Sequence, residues 1–237
     1  MPLADRVVLI TGATGGLGAV ATRRFGEAGA RLGLVGTDAD RLISTAAEAG
    51  LADDRWAPGV GDLTVRAAAE GAVAAVIDRL GPVDVLLHLI GGYAGGGAIG
   101  SFSDDDLRFM LDQHLWSTLH VTRAVVPGMA ERSWGRVVAV TASTTVTTPA
   151  NIAAYSVAKA AEETLLRTLA REVSGSGVTV NVLSGRKIDT EHARETDPSP
   201  RNAAWTTPEE IAKAMLFLCS DDAASITGAR IPLDGRT

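Results

Sequence analysis

Arg6-Val-Val-Leu-Ile-Thr11 runs directly into Gly12-Ala-Thr-Gly-Gly-Leu-Gly18. The β-branched apolar run has the composition of a strand covered on both faces, as in a parallel sheet. The glycines clear side chains from the next turn, and residues 19–28 have helical composition up to Gly29. Strand, glycine-rich turn and helix in succession present backbone N–H groups and a helix N-terminus to a phosphate. The stretch therefore predicts dinucleotide binding. Outside that setting, a glycine cluster would be no more than a flexible turn.

The unit repeats along the chain. Residues 31–36, 56–60, 83–89, 136–141, 178–183 and 230–233 read as further strands, and residues 39–49, 65–80, 104–129, 153–174 and 208–220 as helices. Ser103 is the expected cap of the long helix, with Asp104, Asp105 and Asp106 in its first turn. Pro127 is the expected site of a kink. This alternation predicts an α/β fold, a doubly wound parallel sheet of about seven strands, in a single domain over residues 1–237. Ligands of such sheets bind at the carboxyl ends of the strands. Those ends carry the 12–18 turn, Asp62, a loop rich in glycine (Gly91, Gly92, Gly95, Gly96, Gly97, Gly100), residues 141–143 and residues 185–190. Loops at about 91–103 and 186–207 are the expected substrate walls.

Composition narrows the function. Of 237 residues, 46% are apolar and 21% charged, an ordinary globular balance. No apolar run approaches the ~20 residues needed to span a bilayer, and the N-terminus lacks the zones of a signal peptide. A cytoplasmic protein is expected. The formal charge of −6 argues against nucleic-acid or anionic-membrane binding. Cys219 is the one cysteine and lies in an apolar helical run, so a buried structural thiol is expected, and no multi-cysteine metal site exists. His120 and His192 have no metal-ligand spacing.

Tyr155-Ser-Val-Ala-Lys159 opens one of the helical stretches. Residues i and i+4 share a helix face. An ammonium there lowers the pKa of a phenol that otherwise ionises at about pH 10, making an acid or base for use near neutrality.

These motifs, in this order, resemble the short single-domain branch of the short-chain dehydrogenase/reductase family. The resemblance implies a Rossmann fold and binding of NAD or NADP, with a small-molecule alcohol or ketone as substrate. Thr11-Gly12-Ala-Thr-Gly-Gly16-Leu-Gly18 is similar to the family's nucleotide loop, and Gly12, Thr14, Gly16, Leu17 and Gly18 are the implied contacts. Asp62 and Leu63 correspond to the adenine contact, Ile90 and Gly91 to backbone beside the adenosine half, and Ile188 and Thr190 to the segment that holds the nicotinamide carboxamide. Tyr155 and Lys159 match the catalytic pair, with Lys159 also binding the nicotinamide ribose. The resemblance further implies a homo-oligomer, tetramer or dimer, built through helices 104–129 and 153–174.

The departures from the family pattern lie in the active site. Counting 13 residues back from Tyr155, where the family has Ser, reaches Ala142. The neighbouring Ser143 is the substitute candidate. His114 stands where the family has an Asn that holds a water of the proton relay. It is either a proton-relay group or a packed helix residue. His88 falls where an Asn normally ties strands together. Arg186 and Lys187 form either a solvated basic turn or a site for an acidic group. Gly36 and Thr37 occupy the cofactor-discriminating positions. Asp38 favours NAD, and Arg41 could bend toward a phosphate. The expected activity is that of a carbonyl or 3-oxoacyl reductase. The competing readings are a cofactor-binding protein with weak or lost catalysis, and a redox-neutral epimerase or dehydratase.

Overall fold

The computed structural model describes residues 3–94, 96–200 and 202–234. Gly95 of the glycine-rich loop lies outside the described residues, as do residues 1–2, 201 and 235–237.

Seven strands form one parallel sheet in the order β3-β2-β1-β4-β5-β6-β7. They are β1 (Val7–Thr11), β2 (Arg31–Gly36), β3 (Trp56–Val60), β4 (Val85–His88), β5 (Gly135–Ala142), β6 (Val178–Gly185) and β7 (Arg230–Leu233). The strand order reverses between β1 and β4, so their carboxyl ends part around a crevice, as in a Rossmann fold.

The period of two along β1 divides the core. Val7 and Leu9 enter the layer beneath α3 (Arg66–Leu80), α5 (Ser117–Glu131) and α7 (Ala153–Glu172), the last preceded by the short α6 (Thr144–Thr147), with Val76, Val121 and Leu166. Val8 and Ile10 enter the opposite layer, beneath α1 (Gly16–Glu27), α2 (Ala39–Glu48) and α9 (Pro208–Leu218), with Phe25, Leu42 and Met215. Cys219 belongs to this second layer, and burial pushes its thiol up to about 12, which makes it structural. Among the described residues no helix is long and apolar enough to cross a membrane.

The expected 104–129 helix is divided. α4 (Asp104–Leu111) begins at Ser103, whose hydroxyl caps it, and passes into a π-helical turn at Asp112–Trp116 before α5. The helix continues through Pro127, so the irregularity lies directly after α4 and not at the proline. A π turn adds one residue to a helical turn and rotates the helix beyond it. Here it accompanies complete burial of His114, Ser117 and Thr118 against α7 and the sheet edge. Among the described residues, the 186–207 segment holds a four-residue helix, α8 (Ala193–Thr196), and a 3-10 turn at Asn202–Ala204 but no long helix, in keeping with its two prolines. Asp189 caps it by accepting from the N–H groups of Ala193 and Arg194, and Arg194 grips Glu210 of α9 at 2.9–3.0 Å.

His88 ties the two strands that border the crevice. It pairs in register with Thr11, and its Nδ1 lies 2.9 Å from the Thr11 hydroxyl, with Ser117 at 3.5 Å from Nε2. It performs the strand-tying task expected of the position. Burial, and then the charge of Lys159, lower its pKa from 6.5 to about 3. The folded chain therefore holds a neutral imidazole that the unfolded chain protonates once the pH falls below 6.5. Stability is present above that value and is lost on acidification toward pH 3, by up to about 1.4 kcal/mol per pH unit for each such group. Urea unfolding of His88→Asn should show a shallower loss across this window than the parent chain. Equal slopes would remove His88 from the account.

Candidate active site

The 12–18 turn can lie against the end of β4 because it has no side chains there. Gly12 has φ +67°, and a Cβ on it would sit 2.9 Å from the Leu89 carbonyl oxygen. A Cβ on Gly18 would sit 2.2 Å from the Gly12 oxygen, and one on Gly16 would meet Thr190 at 2.7 Å. Over this turn lies a cavity of about 560 Å³. Its lining includes Gly12, Thr14, Gly16, Leu17, Gly18, Thr37, Asp62, Leu63, Ile90, Gly91, Ile188 and Thr190. A second cavity, also about 560 Å³, adjoins it and shares Leu17, Leu89, Ile90, Gly91 and Ile188; Tyr155 and Lys159 line it. Two chambers, one over a glycine turn at a helix N-terminus and one beside a phenol and an ammonium, fit a dinucleotide laid along the sheet edge.

One expected cofactor contact does not line either chamber. Asp38 spends its carboxylate capping α2, accepting from the Arg41 N–H at 3.1 Å. Arg41 itself lines the first chamber and donates to the Thr14 carbonyl at 3.2 Å. Asp62 is held in shape by the N–H and hydroxyl of Thr64, at 2.9 and 2.7 Å. His120, which showed no role in the sequence, supports this edge by donating from Nδ1 to the Leu63 carbonyl at 2.9 Å.

Tyr155 and Lys159 stand one turn apart at the start of α7. Lys159 is 4% exposed, and its ammonium donates to the Val140 carbonyl at 2.9 Å and to Glu162 at 2.8 Å. Tyr155 packs edge-on between Tyr93 and His114, with ring centroids 5.6 Å away in each case. Burial holds its proton more tightly than in an ordinary phenol. Lys159 acts in the opposite direction, as the spacing predicts, and Glu162 reinforces the burial. The net shift is upward, which corrects the expectation of a lowered value.

Ala142, and not Ser143, faces the second chamber. The strand continues through Ala142, so the one-residue shift that would bring Ser143 round does not occur. The Ser143 N–H donates to the Gly185 carbonyl at 2.9 Å and joins the ends of β5 and β6. The neighbouring hydroxyls of Thr141 and Thr145 are drawn to Glu163, at 3.4 and 3.1 Å.

His114 is fully buried, and its Nε2 donates to the Gly92 carbonyl at 3.2 Å, anchoring the glycine-rich loop. Burial, then Lys159, lower its pKa to about 3, so it is neutral and its Nδ1 is a bare acceptor. That atom has no hydrogen-bond partner and lies 4.0 Å from Glu162. Arg186 and Lys187 line the second chamber at its β6 side, with the Lys187 ammonium 3.9 Å over the Trp205 ring. Trp205 thus orients a chamber residue rather than forming the wall.

Glu162 escaped the sequence reading. Its signal is its spacing: seven residues after Tyr155 and three after Lys159, a carboxylate on the stripe that holds Ala158 and Leu166. A charge on a helix face otherwise bound for the core requires a buried partner.

The family model described as enoyl-(acyl carrier protein) reductase matches residues 12–235. The chain is 32% identical over 236 residues to the (2S)-[(R)-hydroxy(phenyl)methyl]succinyl-CoA dehydrogenase subunit BbsD of Thauera aromatica, across 96% of this chain and 94% of that relative. It is 31% identical over 235 residues to the acetoacetyl-CoA reductase of Paracoccus denitrificans, across 94% of each. The crystal structure of levodione reductase superposes with a TM-score of 0.88 at 28% identity, covering 98% of this chain and 97% of that one. The two-chambered crevice, its glycine turn and these relatives agree: the chain belongs to the short-chain dehydrogenase/reductase family of NAD(P)-dependent oxidoreductases.

Proposed function

We propose that the chain reduces a ketone carrying an anionic group to a secondary alcohol, and catalyses the reverse oxidation, with Tyr155 as the proton-transfer residue. The observation that carries this reading is the position of Tyr155 and Lys159 in the chamber continuous with the glycine turn. Bound NAD(P)H would supply the hydride. The backbone of the 12–18 turn would hold the pyrophosphate, Asp62 and Leu63 the adenine, and Ile188 and Thr190 the carboxamide. Lys159, fixed by Val140 and Glu162, would bind the nicotinamide ribose. In reduction the Tyr155 O–H bond breaks and its proton passes to the carbonyl oxygen as hydride reaches the carbon; in oxidation the phenolate takes that proton back.

With Ala142 facing the chamber, no serine hydroxyl assists from the usual position, and His114 acts by backing Tyr155 and holding Gly92. Phe at position 155 removes only the hydroxyl. Tyr155→Phe should lower kcat/KM by about 10²-fold or more while leaving cofactor binding, read by fluorescence, intact. Substantial residual turnover would remove Tyr155 from the proton step. Cofactor binding without turnover in the parent would favour a binding protein, and turnover without net cofactor change an epimerase or dehydratase.

We infer a preference for NADP, in place of the NAD that Asp38 suggested in the sequence; Arg41, which lines the first chamber while Asp38 caps α2, supports this reading. Arg41→Ala should raise the KM for NADPH about tenfold or more, the scale of one charge-assisted hydrogen bond, and leave that for NADH nearly unchanged. An equal effect on both cofactors would contradict this preference.

The second chamber is mostly apolar, with Arg186 and Lys187 at one side. That pattern suits a 3-oxoacyl thioester or 3-oxo acid, and the two relatives named above act on CoA esters. Arg186→Glu should raise the KM for such a substrate about tenfold and leave that for a neutral ketone unchanged. Unchanged values for both substrates would sink the anionic-substrate reading.

A further inference from the structure

We propose that Glu162 is a positioning residue of the site: paired with Lys159 inside the protein, it offsets the ammonium's charge, keeps Tyr155 in its proton-donating form and so favours carbonyl reduction over alcohol oxidation. The inference rests on the carbonyl-reductase reading above and adds a determinant of direction and pH range.

The geometry is that of a closed pair. Lys159 and Glu162 are 5% and 1% exposed at their side chains, and they meet at 2.8 Å. One Glu162 oxygen takes the ammonium, and the other lies 3.5 Å from the Thr118 hydroxyl, which the π turn helps to bury. Helical spacing brings Glu162 back under the phenol two turns after Tyr155. A lone ammonium there would stabilise the phenolate and ease its formation. An ammonium bound to a carboxylate presents a dipole whose field decays faster, and its attraction for a phenolate is correspondingly smaller.

The other charged and titratable groups around Tyr155 leave this conclusion standing. Tyr93 comes from the glycine-rich loop, and His114 from the π turn. His88 stands behind Lys159 from β4 and, like His114, is neutral. Arg186 and Lys187 share the chamber from beyond β6, and Lys187 is seated on Trp205. Glu163, the next residue of α7, turns instead to Thr145 and to Arg230 of β7, at 3.1 and 3.4 Å. Burial pushes the Glu162 carboxyl above the usual carboxylate range, Lys159 at 2.8 Å pulls it back, and Glu163 adds a smaller upward push; Glu162 is thus the carboxylate paired with Lys159, and Glu163 is a control one residue away.

The chain has two tyrosines, so ¹³C labelling of the tyrosine ring carbon bearing the hydroxyl gives two signals, which Tyr93→Phe assigns. In the parent, the Tyr155 signal should keep its phenol position beyond the ordinary ionisation pH of tyrosine. In Glu162→Gln its titration should move to lower pH, in Glu162→Asp it should return toward the parent, and in Glu163→Gln it should not move. The pH limb of alcohol oxidation should shift downward in Glu162→Gln in parallel. A parent Tyr155 that ionises below the ordinary tyrosine value would overturn the proposal without any variant, and so would a titration indifferent to Glu162→Gln. The titration needs no cofactor or substrate. A shifted signal in a protein that reduces no carbonyl would overturn the reductase reading and the directional role, while leaving the Glu162–Tyr155 coupling in place.

Discussion

An ammonium shut away from water must be matched by partners at close range, or the fold that buries it is penalised by several kcal/mol. Lys159 meets this requirement with a carbonyl of β5 and a carboxylate of its own helix. The carboxylate then has needs of its own. Thr118 stands 3.5 Å from one of its oxygens while directing its hydroxyl proton to the His114 carbonyl at 2.5 Å, and it is buried just after the helix passes through a π turn. The same turn carries His114 to its place against Tyr155 and Gly92. The chain of requirements thus runs from one buried charge through α7, the π turn and the loop that walls the second chamber. The phenol's proton affinity is set by where that chain closes.

The first chamber depends on a different constraint. The turn after β1 lies so close to the end of β4 that no Cβ fits at Gly12 or Gly18. Backbone N–H groups are thereby left facing the crevice opened by the β1/β4 reversal. His88 and Thr11 hold the two strand ends together at that point, which keeps the crevice at one width. The proposed nucleotide site rests on the glycine turn, and the proposed proton transfer on the buried pair beside Tyr155.

The parallel sheet and the glycine turn were legible in the sequence, because each is written in local composition: apolar runs of strand length, a glycine cluster between strand and helix, and a long helix opened by Ser103. The Tyr155–Lys159 pair was legible for the same reason, since both residues sit on one helix. What could not be read depended on partners far apart in the chain. Asp38 looked like a ribose contact until α2 was seen to take its carboxylate as a cap. Ser143 looked available until β5 ran on through Ala142. The break in the long helix falls at 112–116, where no proline or glycine marks it, and not at Pro127. Glu162 drew no notice because a helix stripe shows which face is inward only when its neighbours are known.

Whether Lys159 is a buried, paired ammonium is the point on which the account turns, and the chain makes it measurable. It has three lysines, so ¹⁵N-lysine labelling yields three side-chain signals. The account predicts that one of them, absent from Lys159→Met, keeps ammonium protons protected from solvent exchange near neutral pH, and loses that protection in Glu162→Gln. Three ammonium groups exchanging at the rate of exposed lysines would contradict it.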